Sequence, residues 1–271
     1  MLASFGFSWG FIIVRAVDLP AAEVAFLRLL FGGGLLALVA LARRTPWHFS
    51  GPVFFAGLCF GLHQLFFIRA AQSTSIAVVT LVQSLMPLLV AMVSQRTVGE
   101  KVEGALFGCA VLALAGVGLV VYANRGMPST TPFALLLCVL NLVSFSAFFL
   151  FSKRARFLGA PSLTLTCASL VIAWLFVVPF SVGQLTTAVP ALWQVGLLAF
   201  MAWIPGNGHI LVNWAHARVS ATLGSIALSL VPVFASIWAH LLFDEPYGLL
   251  HVIGTVFTLA AVVLGRKVSP V

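Results

Sequence analysis

Apolar residues run along the chain in ten blocks, 2–17, 22–42, 51–70, 74–95, 103–122, 131–151, 161–182, 191–214, 219–242 and 248–265. A helix needs about 20 apolar residues to cross a bilayer core, so the pattern predicts ten spans. None shows the strict alternation of a barrel strand, and a helix satisfies its own backbone polar groups in lipid. The fold class expected is therefore an all-α polytopic membrane protein. The first block is short for a span; it either tilts across a thin stretch or lacks part of its natural N-terminus. Short breakers punctuate the rest, among them Asp18-Leu19-Pro20, Thr45-Pro46, Gly99-Glu100, Gly126-Met127-Pro128, Gly159-Ala160-Pro161 and Asp244-Glu245-Pro246.

One block interrupts itself. In the eighth span Pro205, Gly206, Asn207, Gly208 and His209 follow each other directly. Proline removes a helix hydrogen bond and clashes with the preceding turn. Backbone opened at membrane depth survives only against protein or a water-filled cavity. The stretch is thus either a packing kink or part of a binding site.

Composition agrees with a membrane protein: of 271 residues 62% are hydrophobic and 7% charged, too few charges to cover a water-facing surface. The net charge of +8 does not require nucleic acid, because membrane proteins collect Lys and Arg on their cytoplasmic side. With both termini in the cytoplasm, Arg43, Arg44, Arg96, Lys101, Lys153, Arg154, Arg156, Arg218, Arg266 and Lys267 fall inside, whereas Arg15, Arg69 and Arg125 fall at the outer side. Arg28 lies within the second span, where it snorkels to the outer boundary, pairs with Asp18 or Glu23, or binds an anionic group of a substrate. Cys59, Cys109, Cys138 and Cys167 are widely spaced, without zinc spacing, so neither disulfides nor metal are expected.

The chain also repeats itself. Ser84-Leu85-x-Pro87 recurs as Ser229-Leu230-x-Pro232, 145 residues later; at the same offset Ser75 meets Ser220 and Glu100 meets Glu245. Two halves of five spans follow, 1–122 and 131–271, joined by a loop at 123–130. Five is odd, so the second half enters from the opposite side, and the repeats are inverted about an axis in the membrane plane. The offset carries Gly206 back to Gly61 and His209 to Gln64, beside His63. Matched glycine-interrupted segments in inverted halves point to a substrate site near the midplane, so breaks are expected in both the third and eighth spans.

The candidate substrate-binding residues follow. Asn207, His209, His63 and Gln64 flank the two segments. Ser84 and Ser229 belong to matched stripes, Thr80, Ser84, Pro87, Ala91 and Ser225, Ser229, Pro232, Ser236, each on one helical face. Gln83 borders the first stripe, and Asn141 heads a polar patch with Ser144 and Ser146. Trp9 and Trp203 offer aromatic walls, Trp203 sharing a face with Asn207. Each has an alternative in helix packing or interhelical hydrogen bonding. Trp174 lies inside an apolar run; Trp47, Trp193, Trp214 and Trp238 read as interface anchors. Gly104-x-x-x-Gly108 reads as close helix packing.

Several motifs together resemble the EamA-type transporters of the drug/metabolite transporter superfamily. Ser8-Trp9-Gly10, Leu27-Arg28-Leu29-Leu30, Ser84-Leu85-Met86-Pro87 and Gly99-Glu100 resemble the first repeat. Ser152-Lys153-Arg154, Ala215-His-Ala-Arg218-Val-Ser-Ala221, Leu230-Val231-Pro232 and Asp244-Glu245-Pro246 resemble the second. The resemblance implies a ten-helix carrier in the bacterial inner membrane, with cytoplasmic termini, a central cavity and export of amino acids or other small metabolites. Arg28 departs from symmetry, facing Ser169 when Pro20 is aligned with Pro161.

The function expected is a secondary transporter working by alternating access, with a small-molecule substrate and the lipid bilayer as partners and no cofactor. The third, fourth, eighth and ninth spans would form the site and the first, second, sixth and seventh would close it. The six acids lie at or near span ends, which favours a neutral, zwitterionic or aromatic substrate and leaves His63 and His209 as the central titratable groups. A facilitative uniporter, a multidrug carrier and a non-transporting scaffold or receptor are the alternatives. No acid pair, HExxH motif or phosphate loop supports an enzyme or ATP drive. The oligomeric state is open, and a monomer suffices.

Overall fold

The computed structural model describes residues 1–74, 76–123, 131–182, 190–243 and 247–268. Its helices are α1 Leu2–Val17, α2 Ala21–Ala42, α3 Gly51–Ser73, α4 Ile76–Gln83, α5 Met86–Thr97, α6 Gly104–Ala123, α7 Pro132–Phe157, α8 Ser162–Ser181, α9 Leu192–Met201, α10 His209–Ala215, α11 Ala221–Leu228, α12 Leu230–Phe243 and α13 Leu249–Val268. A π-helical turn, Ala202–Gly206, joins α9 to α10. Three spans are composite: α4 with α5, α9 with α10, and α11 with α12. Among the described residues, eight spans have the length and hydropathy to cross a membrane, and α1 and the 104–120 stretch of α6 are shorter apolar helices. The chain is an all-helical membrane protein of ten spans, two inverted five-span repeats.

Polarity is inverted relative to a water-soluble protein. Leu38, Phe49, Met92, Leu175 and Leu192 stand exposed, while Ser8, Arg28, Gln64, Asn141, Lys153 and Asn213 are buried. The lipid face needs no polar groups, and polar side chains lower their cost by meeting inside. The main core runs through α1, α2, α3, α5, α7 and α8. A smaller core of Leu106, Ala110, Ile226, Leu230 and Ala261 joins α6, α11, α12 and α13.

The expected break in the third span is absent. Glycine keeps its N–H, so α3 continues unbroken from Gly51 to Ser73. Gly57 and Gly61 instead admit α8: a Cβ on Gly57 would lie 2.5 Å from Ile172 Cβ, and one on Gly61 2.9 Å from Phe176 Cδ1. Gly104 and Gly108, expected at a close contact, face open space. The close approach on α6 falls at Gly116, where a Cβ would lie 2.5 Å from Thr258 Oγ1 and 2.6 Å from the Gly254 carbonyl of α13.

The matched breaks occur instead in the composite fourth and ninth spans. Pro87 has no N–H to give the Gln83 carbonyl, nor Pro232 to give that of Leu228, and α4 and α11 end at those two residues. Tight turns carry the chain across: Ser84 N–H donates to Leu81 O at 3.1 Å and Ser229 N–H to Ile226 O at 3.0 Å. Both breaks sit at the same step of the 145-residue offset. The connection 123–130 and the Asp244–Pro246 turn lie largely or wholly outside the described residues, as do Arg125 and Ser75.

Candidate functional site

The two proline breaks and the π turn enclose one central cavity. It measures about 70 Å³ and is lined by residues of both halves, among them Arg28, His63, Gln83, Asn141, His209 and Ser229. A water takes roughly 10–15 Å³ by this measure, so several waters or a small organic molecule fit. Phe7, Phe11, Phe67, Met86 and Phe145 supply apolar wall.

The π turn solves the problem that Pro205 creates. One extra residue per turn lets Asn207 N–H donate to Ala202 O at 2.9 Å, an i to i−5 bond. The eighth span therefore widens rather than unwinding into a loop. The widened turn directs His209 among rings: its centroid lies 4.5 Å from that of Phe7, 4.7 Å from Phe60 and 5.4 Å from Phe148. His209 is 3% exposed, and its Nδ1 has no hydrogen-bond partner among the described residues.

A relay crosses the cavity between the halves. His63 Nδ1 lies 2.6 Å from Asn141 Oδ1, and Asn141 Nδ2 donates to Gln83 Oε1 at 2.8 Å. With the amide oriented this way, His63 donates from Nδ1. Gln83 stands at the end of α4, so the break in the fourth span is tied through α7 to α3. The His63 ring also packs 4.4 Å from Phe145.

Of the residues expected from the sequence, His63, Gln83, Ser84, Asn141, His209 and Ser229 meet at this cavity. Gln64 is fully buried one layer behind it, where its Oε1 accepts from Arg28 at 2.5 Å. Asn207 turns toward α2; its Oδ1 would lie 3.3 Å from a Cβ on Gly32, and it is absent from the cavity wall. Trp9 packs on Phe200 and Trp238 outside the lining. Trp203 does not join the site: it is 51% exposed, because the π turn rotates it away from the face that carries His209. Trp238 does not act as an interface anchor but fastens α12 to α1 through a 2.9 Å bond from Nε1 to Ser8 Oγ.

Arg28 does not snorkel. It stands two turns inside α2, is 6% exposed and reaches the cavity wall. Its length suggested that it would reach the outer boundary, but Gly206 leaves room for it: a Cβ there would lie 3.6 Å from Arg28 Nε. Lys153, expected just past the inner end of the sixth span, is buried within α7 and ion-paired to Glu100 at 2.8 Å. The apolar run ends before it, so hydropathy gave no sign that the helix and its burial continue.

The family comparisons agree with this architecture. The model for the "EamA-like transporter family" matches residues 1–122 and 132–265. An "Uncharacterized transporter YetK" from Bacillus subtilis (strain 168) is 25% identical over 230 residues, covering 79% of this chain and 66% of the relative, just under two thirds of its length. A solved crystal structure superimposes with a TM-score of 0.80 over 99% of this chain and 96% of the other, at 18% identity, which speaks for the fold. A family model matched across both halves, each with its own proline break, places this chain in the EamA-like transporter family, a family of membrane transporters and not of enzymes.

Proposed function

We propose that the chain is a secondary carrier of small amino-acid-like metabolites, working as an exporter by alternating access around the central cavity. The observation that carries this reading is the meeting of two inverted proline breaks and the π turn at one cavity that holds polar side chains of both halves. Breaks in corresponding spans supply hinges on both sides of a site between the halves. Both termini belong on the cytoplasmic face, because that end gathers ten of the fourteen Lys and Arg residues. The bacterial relative supports a location in a bacterial cytoplasmic membrane.

Purified protein in liposomes tests the reading by counterflow against a panel of labelled amino acids and related metabolites. A carrier accumulates at least one labelled compound when the unlabelled form is trapped inside. His209→Ala and Gln83→Ala should reduce that flux by about tenfold or more, the loss expected of about 1.4 kcal/mol at the site. Trp203→Ala, on the lipid face, should leave it unchanged. Absence of counterflow across the panel, with correctly inserted protein, would falsify the proposal.

A further inference from the structure

We infer that Arg28 receives the negative end of the substrate, and that the substrate class is a small monocarboxylate with an apolar body. The inference deepens the carrier reading and rests on it for flux alone; binding stands independently.

Arg28 is 6% exposed at membrane depth. Arginine stays charged in proteins and carries five N–H donors in a planar fork. Among the described residues its guanidinium makes one hydrogen bond, to the neutral Gln64 Oε1, and no ion pair. Among the described residues, no carboxylate lines the cavity that Arg28 faces. A buried cation is kept when something compensates it, and here the described residues supply only one amide oxygen. Arg28 itself lines the space between the halves.

Two further groups on that space lack partners. His209 Nδ1 and Ser229 Oγ are buried without a hydrogen bond among the described residues, at 3% and 4% exposure. Both line the same cavity as Arg28. A ligand that seats a carboxylate on the guanidinium extends its other polar group toward them. Its body meets Phe7, Phe67 and Phe145. The charge balance selects the class: a monocarboxylate neutralises one guanidinium, whereas a phosphate dianion leaves a negative charge uncompensated in a low-dielectric site. The planar fork also matches a carboxylate bidentately.

Gln64 offers a direct test. Gln64→Glu changes little in shape and places a permanent carboxylate where the amide oxygen meets Arg28, so the protein then occupies its own anion site. The experiment uses the full chain in detergent, with the standard L-amino acids and short aliphatic and aromatic carboxylic acids, each beside its amide, measured by thermal shift and titration. In wild type, at least one acid should bind more tightly than its amide by about thirtyfold, the lower range for removing one partner of a buried charge pair. Arg28→Gln should erase that preference, and Arg28→Lys should keep part of it. Gln64→Glu should melt at or above the wild-type temperature and no longer bind the acid, so the test holds even if Arg28→Gln fails to fold. Equal binding of acid and amide, binding of no acid in the panel, or an intact acid preference in Gln64→Glu overturns the inference. Acid binding without counterflow refutes the carrier reading and leaves the anion site standing; counterflow of neutral compounds alone does the reverse.

Discussion

Two buried cations, Arg28 and Lys153, are treated in opposite ways by this fold. Lys153 is complete. Its Nζ lies 2.8 Å from Glu100 Oε1, donates to His216 O at 2.8 Å and to Val219 O, and sits 4.9 Å from the Phe157 ring centroid. Glu100 Oε2 in turn accepts from Ala221 N–H at 2.6 Å, at the start of α11. All three ammonium donors are used, and the cluster ties the loop after α5 in one half to α7 and α11 in the other. Among the described residues, Arg28 holds a single amide oxygen. A fully paired ion fastens structure, whereas an underpaired one at a cavity leaves its charge for a ligand. Glu245, the repeat mate of Glu100, lies outside the described residues.

The largest expected effect breaks the paired side. Glu100→Gln leaves the Lys153 charge buried without its carboxylate and should destabilise by about 3–5 kcal/mol, as removal of one partner of a buried pair does, read as a lowered unfolding temperature in detergent. Arg28→Gln should destabilise by only about 1 kcal/mol, the loss of its hydrogen bond to Gln64, because among the described residues its charge has no ionic partner to lose. An equal loss of stability in both variants contradicts the contrast. Next in size is packing: Gly116→Ala should cost about 1–3 kcal/mol through overpacking against α13, with Gly104→Ala, which faces open space, as the neutral control. Smallest in stability, and sharpest in function, is Pro232→Ala. It returns an N–H that can reach the Leu228 carbonyl and straighten the ninth span, so flux should fall while the unfolding temperature holds or rises.

The ten spans, the inverted repeat and six cavity residues were legible because each leaves a periodic or repeated trace. Hydropathy marks spans, and an internal offset aligns Ser84 with Ser229. The misplaced break has a plain cause: the third and eighth spans share glycine clusters, but only proline deletes a hydrogen bond, and the matched prolines are Pro87 and Pro232. Gly57 and Gly61 look like weakness in sequence and act as contact surface in space. Trp203 shows a related error. A shared face of Trp203 and Asn207 counted at four residues assumes an α-helix, and the π turn Ala202–Gly206 that holds Trp203 shifts the phase. The burial of Arg28 and Lys153 depends on neighbours distant in sequence, Gln64, Gly206 and Glu100, which no local pattern announces.

The central claim is that the space between the two proline breaks is where substrate crosses. A single cysteine at Ser229 tests it most directly, in a background with Cys59, Cys109, Cys138 and Cys167 replaced by serine. In liposomes of defined orientation, a small charged thiol reagent should label Ser229→Cys from water, a transported compound should slow the labelling, and labelling should abolish counterflow. A cysteine there that stays unlabelled from both sides while counterflow runs at the wild-type rate contradicts the account.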